Sequence, residues 1–361
     1  MKKIILFILI LSFSFSQSDE AAVKGILYDY IDGTANGEIS RLYNAFEENS
    51  ALYTVGKDQK LVRRPSKQYI GFFKEGKKNN RKGQITYIDI VNNAATAIVE
   101  VVMGDRTFTD YILLLKIESK WKIINKSYTF VRKAYKGKIL FVVSNYSTYG
   151  ENKRRTGSHY GELVSLYDEF IQKGYEVDFV SPTGGAIPVS YINLQDELQK
   201  KYFYDTKLNY KLKTTSTPNE IKSQYYEAIL YVGGSAIMYD VPENKEIMSL
   251  TKVIYEKQKG VVGAVCHGVA GLVNIKLESG KYLVDGQTVN SFTNKEENSG
   301  SAAELLPFLI ETKLVERGAI YKSSDNWQEH VEISNRIVTG QNPASTKKLV
   351  KKMIEEIENK K

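Results

Sequence analysis

Cys266 is the only cysteine in this 361-residue chain, and His267 follows it directly. A thiol can attack an electrophilic carbon, and a neighbouring imidazole can take its proton. The pair closes the run Val261-Val262-Gly263-Ala264-Val265-Cys266-His267-Gly268, in which four of eight residues are apolar. Such a run predicts a buried strand that delivers the thiol to its end. Ala264 and Gly268 stand two places either side of the sulfur, as a strand-turn-helix elbow requires where bulk would clash. A helix is expected to start at Val269 to Val273, its unpaired N–H groups favouring thiolate over thiol. The competing reading is a buried, inert cysteine, the commoner fate of free thiols. A Cys-His pair between small residues at the end of an apolar run favours chemistry instead.

Composition narrows the setting. Met1-Lys2-Lys3, the apolar run Ile4 to Leu11 and Ser14-Phe15-Ser16 read as the basic, apolar and cleavage regions of an export signal. Cleavage after Ser16 is expected, leaving Gln17 first and a periplasmic or extracellular protein. The apolar run is too short to span a bilayer, so no membrane insertion is expected after cleavage. The net charge of +8 falls to +6 once Lys2 and Lys3 are removed. Its dense part, Lys74 to Lys82, also holds glycine and two asparagines and reads as a solvated loop. With no basic stripe interleaved with aromatics, nucleic acid is not an expected partner. One cysteine makes no internal disulfide, and an unpaired thiol in an oxidising compartment argues for a reactive role.

The elements that must position the thiol follow from periodicity. Residues 19–133 read as a small α+β domain. Val23, Ile26, Leu27, Tyr30 and Ile31 share one helical face, as do Ile39, Leu42, Tyr43 and Phe46 beyond a turn at 32–37. A third short helix is expected after Pro65. Alternating runs at 84–91, 95–103, 107–117 and 121–130 then predict a four-stranded antiparallel meander. Asp89, Glu100 and Asp110 lie on these strands, and exposed carboxylates are the expected state.

A polar linker at 132–137 opens the second domain, residues 134–361. Apolar strands are expected at 138–144, 175–181, 228–234, 261–265 and 336–340, with helices at 156–173, 243–258, 301–316 and 344–359 between them. This alternation predicts a doubly wound α/β fold, a parallel sheet covered by helices on both faces. A site then belongs at the carboxyl ends of the strands. The polar, tyrosine-rich insertion 186–226 shows no core pattern and is expected to lie over those ends, as a lid or as a surface excursion.

Two resemblances add to this reading. The helices-first layout with the segment YIDGTANG resembles the SnoaL-like and nuclear transport factor 2-like cone, in its lumazine-binding-like branch. The likeness implies a ligand-binding or dimer-forming module. Residues 134–361 are similar to the ThiJ/PfpI family of the class I glutamine amidotransferase-like, flavodoxin-like fold. The likeness rests on Thr156-Gly157, Glu162-Leu163, Gly174 to Pro182, Gly184-Gly185, Ala264 to Gly268, Ser291 to Glu297 and Val338 to Ser345. Its heat-shock chaperone and glyoxalase III branch is the nearest. The resemblance implies Cys266 as nucleophile, His267 as its partner, Glu162 as the acid on the sulfur and Glu297 as the residue orienting the histidine, with Glu296 its confusable neighbour. Gly234 and His267 are candidates to supply backbone N–H groups to an oxyanion, the competing reading being a glycine needed only for a turn. Where that branch usually has Gly-Gly-His-Gly, this chain has Gly233-Gly234-Ser235-Ala236, so a pocket imidazole is missing.

The resulting expectation is a cofactor-independent conversion of a small 2-oxoaldehyde such as methylglyoxal to a hydroxy acid. No metal is expected, because His159, His267 and His330 are the only histidines and form no ligand set in the sequence. His330, beside Trp327, is expected as a surface or packing residue and not as a catalyst. The alternatives are a redox-sensing holdase for misfolded proteins, a cysteine amidase or peptidase, and a binding module led by the first domain; a homodimer fits any of them. Fold alone does not choose among these activities.

Overall fold

The computed structural model describes residues 2–56, 58–132 and 135–360, without the side chains of residues 2–18 and 132. Met1 and the side chains of the expected export signal, and part of the expected linker, lie outside the described residues. Two compact units are present, Met1–Ala134 and Tyr135–Lys361. Among the described residues no helix is long and apolar enough to cross a membrane.

In the first unit one helix runs through Lys2–Asn36, so the turn expected from residue 32 begins only at Gly37. Ile39–Ala45 forms a second helix, and Phe46, expected on its face, instead opens the strand Phe46–Val55. That strand and Leu61–Pro65 extend the expected meander to a six-stranded sheet. Phe46–Val55 does not alternate cleanly, and Leu61–Pro65 alternates only between exposed and half-buried positions, so neither carries a period-two apolar pattern. Leu27 and Tyr30 of the long helix pack on Val99, Ile112 and Ile123 of the sheet.

Asp110 corrects an expectation: it is 1% exposed rather than solvated. Tyr30 Oη donates to its Oδ2 at 2.6 Å, and Lys126 Nζ reaches its Oδ1 at 3.0 Å. The strand alternation turned this carboxylate inward, and a partner on the next strand neutralises it. Asp89, by contrast, is exposed. Removing one member of a buried pair leaves the other charge uncompensated, so Asp110→Ala should cost about 3–5 kcal/mol. Urea unfolding checks this, and a loss below ~1 kcal/mol would contradict the burial of the pair.

The second unit is doubly wound. Its sheet runs in the order Glu176–Val180, Lys138–Val142, Tyr226–Tyr231, Val261–Val265, Ile337–Gly340, Val331–Ser334. All pairs are parallel except the last, an antiparallel edge absent from the sequence reading. Val261–Val265 is buried at every position, as a strand covered on both faces must be. Helices Tyr160–Gln172 and Thr346–Asn359 contribute Leu163, Leu166, Phe170, Leu349 and Met353 to one core. The insertion is more ordered than its composition suggested. It holds the strand Val189–Ser190 and helices Glu197–Phe203 and Thr206–Lys213, and Tyr202, Leu208 and Leu212 join that core.

Candidate active site

The central strand hands the chain to Cys266 at φ 55°, a left-handed conformation costly for any residue with a Cβ. The backbone turns at once into a 3-10 helix, Cys266–Leu272, rather than an α-helix beginning near Val269. The expected preference for thiolate is corrected accordingly. Such a short 3-10 segment carries little dipole, and Cys266 is only 3% exposed. Burial, and then the charge of Glu162, pushes the thiol well above its ordinary value, while the His267 N–H against the sulfur works the other way.

Glu162 lies in the first turn of the helix Tyr160–Gln172 and is 1% exposed. Gly233, at the end of the neighbouring strand, explains how it reaches the elbow. A Cβ there would stand 1.9 Å from Glu162 Oε2 and 3.0 Å from Cys266 Cβ. Carboxyl and thiol therefore face the same glycine. Burial pushes Glu162 up to about 8, opposed by the Cys266 thiol and the Gly233 N–H. Neither of those neighbours reaches full hydrogen-bond geometry with the carboxyl. At neutral pH the acid is protonated, so the repulsion that holds the thiol up is relieved and an O–H donor faces the sulfur.

The histidine is fixed from two sides. Cys266 Sγ and His267 Nδ1 are 3.3 Å apart, and His267 Nε2 lies 2.8 Å from Glu297 Oε2. Phe292 stacks on the imidazole at 4.7 Å between centroids. With Nε2–H donated to Glu297, Nδ1 is left to accept the thiol proton. Glu296 faces elsewhere. Its carboxylate accepts from Thr293 N–H at 3.0 Å and from Trp327 N–H at 2.8 Å, tying the helix start Asn294–Ser299 to a distant loop. His330 pairs with Glu332 at 2.8 Å.

Gly234 adopts φ 109°, and a Cβ there would meet Gly157 O at 2.3 Å. Among the described residues no acceptor takes its N–H. That donor remains for a negative oxygen, whereas the His267 N–H already lies against the Cys266 sulfur. No group of three or more metal-ligating side chains occurs among the described residues.

Tyr149 and Tyr191 escaped the sequence reading, and His159 and Ser235 entered it without the partners they have here. His159 caps the helix of Glu162, its Nδ1 accepting the Glu162 N–H at 3.2 Å. Its ring stacks on Tyr191 of the insertion at 4.9 Å. Tyr149 Oη lies 3.3 Å from Tyr191 Oη and donates to Ser235 Oγ at 3.2 Å. His159, inside the helix expected over 156–173, instead precedes Tyr160–Gln172 as its cap. The others are assembled from a hairpin, an insertion and a strand end.

His159 also gives a pH prediction. Burial, and then the charge of His267, pushes its imidazole down to about 4 from 6.5. Between those values the unfolded chain binds a proton that the folded chain refuses. The stability carried by neutral His159 is complete above pH 6.5 and is lost as pH falls through about 4. His159→Asn keeps a good cap and should flatten the acid limb of a stability-pH curve by at most about 3 kcal/mol. Superimposable curves for the two proteins would refute it.

Residues 156–356 match the family model described as DJ-1/PfpI family, and residues 18–129 match one described as "Putative lumazine-binding". The chain is 29% identical over 237 residues to glutathione-independent glyoxalase HSP31 of Saccharomyces cerevisiae, covering 62% of this chain and 98% of that relative. It is 26% identical to glyoxalase 3 of Candida albicans, covering 60% of this chain and 97% of the relative. Among solved structures, Rapid Encystment Protein 24 KDa of Francisella tularensis is similar at 33% identity and a TM-score of 0.59, covering 61% of this chain and 99% of that one.

Proposed function

Because this chain belongs to the DJ-1/PfpI family, we propose that its second unit is a cysteine-dependent, glutathione-independent glyoxalase acting on 2-oxoaldehydes such as methylglyoxal. The observation that carries this reading is the meeting of Cys266, His267 and Glu297 in one hydrogen-bonded line, with the Glu162 carboxyl held at the same glycine as the sulfur. The relatives named glyoxalases, each matched along nearly its whole length, support it.

The chemistry follows from the groups present. Cys266 sulfur adds to the aldehyde carbon, its proton passing to His267, and the carbonyl electron pair moves onto oxygen, where the Gly234 N–H meets it. Protonation of that oxygen gives a hemithioacetal. Removal of the C1 proton yields an enediol, and its return at C2 leaves a 2-hydroxy thioester. Water then cleaves the thioester to the hydroxy acid and regenerates the thiol. Methylglyoxal plus water becomes lactate with no net oxidation, so no cofactor enters the balance.

Purified full chain incubated with methylglyoxal, without glutathione, should accumulate lactate. No lactate, with turnover of an amide panel instead, would make the same sulfur and imidazole a hydrolase. We further propose export, on the leader pattern of residues 1–16. Mass spectrometry of the protein from its native cell should find Gln17 first, and an intact Met1 terminus would overturn this.

A further inference from the structure

A chain of three hydroxyls leads from the surface to the strand end that carries Gly233 and Gly234. Tyr191, 54% exposed, stands at its outer end and Ser235, 4% exposed, at its inner end, with the buried Tyr149 between them. The links are 3.3 Å and 3.2 Å. Ser235 directly follows Gly234, whose N–H is free to meet an oxygen on the substrate, and lies two residues beyond the glycine that touches both Glu162 and Cys266.

The supports of this chain are specific. Tyr191 holds φ 59°, a strained conformation for a bulky residue, and this aims its ring against His159 with planes 12° apart. The short strand Val189–Ser190 pairs with Ser158–His159 and so clips the insertion beside the start of the Glu162 helix. Tyr149 comes from a separate hairpin, Thr148–Arg155, and the Arg154 guanidinium lies 5.4 Å over its ring. Three segments distant in sequence thus converge on one line of hydroxyls. Packing alone does not require two buried hydroxyls linked beside a loop with a vacant N–H.

We infer that Ser235, fed by Tyr149 and Tyr191, is the positioning group for the second oxygen of the substrate, selecting vicinal dicarbonyls over simple aldehydes. When Cys266 captures an aldehyde, sulfur bonds to C1 and the thiol proton ends on the new hydroxyl. The neighbouring C2 carbonyl oxygen then accepts from the Ser235 hydroxyl, whose orientation is set by the proton it receives from Tyr149. This deepens the glyoxalase reading and rests on it for the identity of the substrate.

Its test is separable from turnover. Protection of Cys266 against iodoacetamide, followed by intact-mass spectrometry on the full chain, reports reversible capture of an aldehyde whether or not product forms. Methylglyoxal carries the second oxygen and propanal does not. Ser235→Ala and Tyr149→Phe should weaken protection by methylglyoxal about tenfold, the equivalent of ~1.4 kcal/mol, and leave protection by propanal unchanged. Ser235→Thr should restore most of the loss, and the half-exposed Tyr191→Phe, which removes no buried volume, should show a smaller loss of the same selectivity.

Equal weakening for both aldehydes, or unchanged protection by methylglyoxal, would overturn the inference. A wild-type protein protected selectively by methylglyoxal yet forming no lactate would sink the turnover reading and keep this one. Lactate formation with unaltered selectivity in Ser235→Ala would do the reverse.

Discussion

Cys266→Ser should lose lactate formation by at least ~10³-fold while the fold survives, because removing a nucleophile leaves only the binding and oxyanion contributions. The substitution is nearly isosteric, and the left-handed backbone at this position is strained for serine and cysteine alike. The loss is therefore chemical, not conformational. A buried hydroxyl beside His267 is a far weaker nucleophile than sulfur at this site, even though the thiol is itself held up by burial. Lactate formation matching the wild type would remove sulfur from the mechanism. Suppression of client aggregation that persists in Cys266→Ser, without lactate formation by either protein, would identify a holdase instead.

Glu162→Gln carries the second large effect, about 10²–10⁴-fold in kcat, because it keeps the shape at Gly233 and removes the transferable proton. Its pH signature separates chemistry from packing. Burial places the Glu162 carboxyl near 8, so the acid is neutral below that value and ionises as pH rises through it. An ionised Glu162 beside Cys266 removes the donor and repels the thiolate. Wild-type kcat/KM should therefore decline on an alkaline limb centred near 8, and the glutamine variant should lack that limb. A limb retained in Glu162→Gln would assign it to another group. The linkage has a matching sign in stability. A carboxyl raised from 4.5 to about 8 leaves the folded chain holding a proton that the unfolded chain has released, so its stabilising effect is full below 4.5 and fades as pH rises through about 8.

Much of the second unit was legible because its signals are local. A five-residue run with four apolar positions, followed by Cys-His between small residues, specifies a strand and an elbow within eight positions. Helix Tyr160–Gln172 follows from the spacing of Leu163, Leu166, Tyr167 and Phe170. The antiparallel edge Val331–Ser334 escaped because its burial alternates weakly over four residues. The helix expected across 243–258 is α-helical only over Lys245–Lys252 and then widens into a π-turn at Val253–Lys257, a distinction that apolar spacing does not encode.

In the first unit the alternating strands were readable, but the inward face was not. Period two says that Asp110 and its strand neighbours take opposite faces, not which face the long helix covers. Only packing turned Asp110 toward Tyr30 and Lys126, residues 80 and 16 positions away.

What the sequence by itself determined is the layout: a helix-led sheet unit, then a parallel α/β unit whose central strand ends in a thiol. These follow from backbone periodicity and from the steric demands of small residues, both set by near neighbours in the chain. Tertiary structure alone decided the thiol's protonation, the alignment of Glu162 with it through Gly233, and the hydroxyl line from Tyr191 to Ser235. Burial and hydrogen bonding between distant segments depend on strand order and on which loops meet at a sheet edge, and no local pattern of residues carries that information.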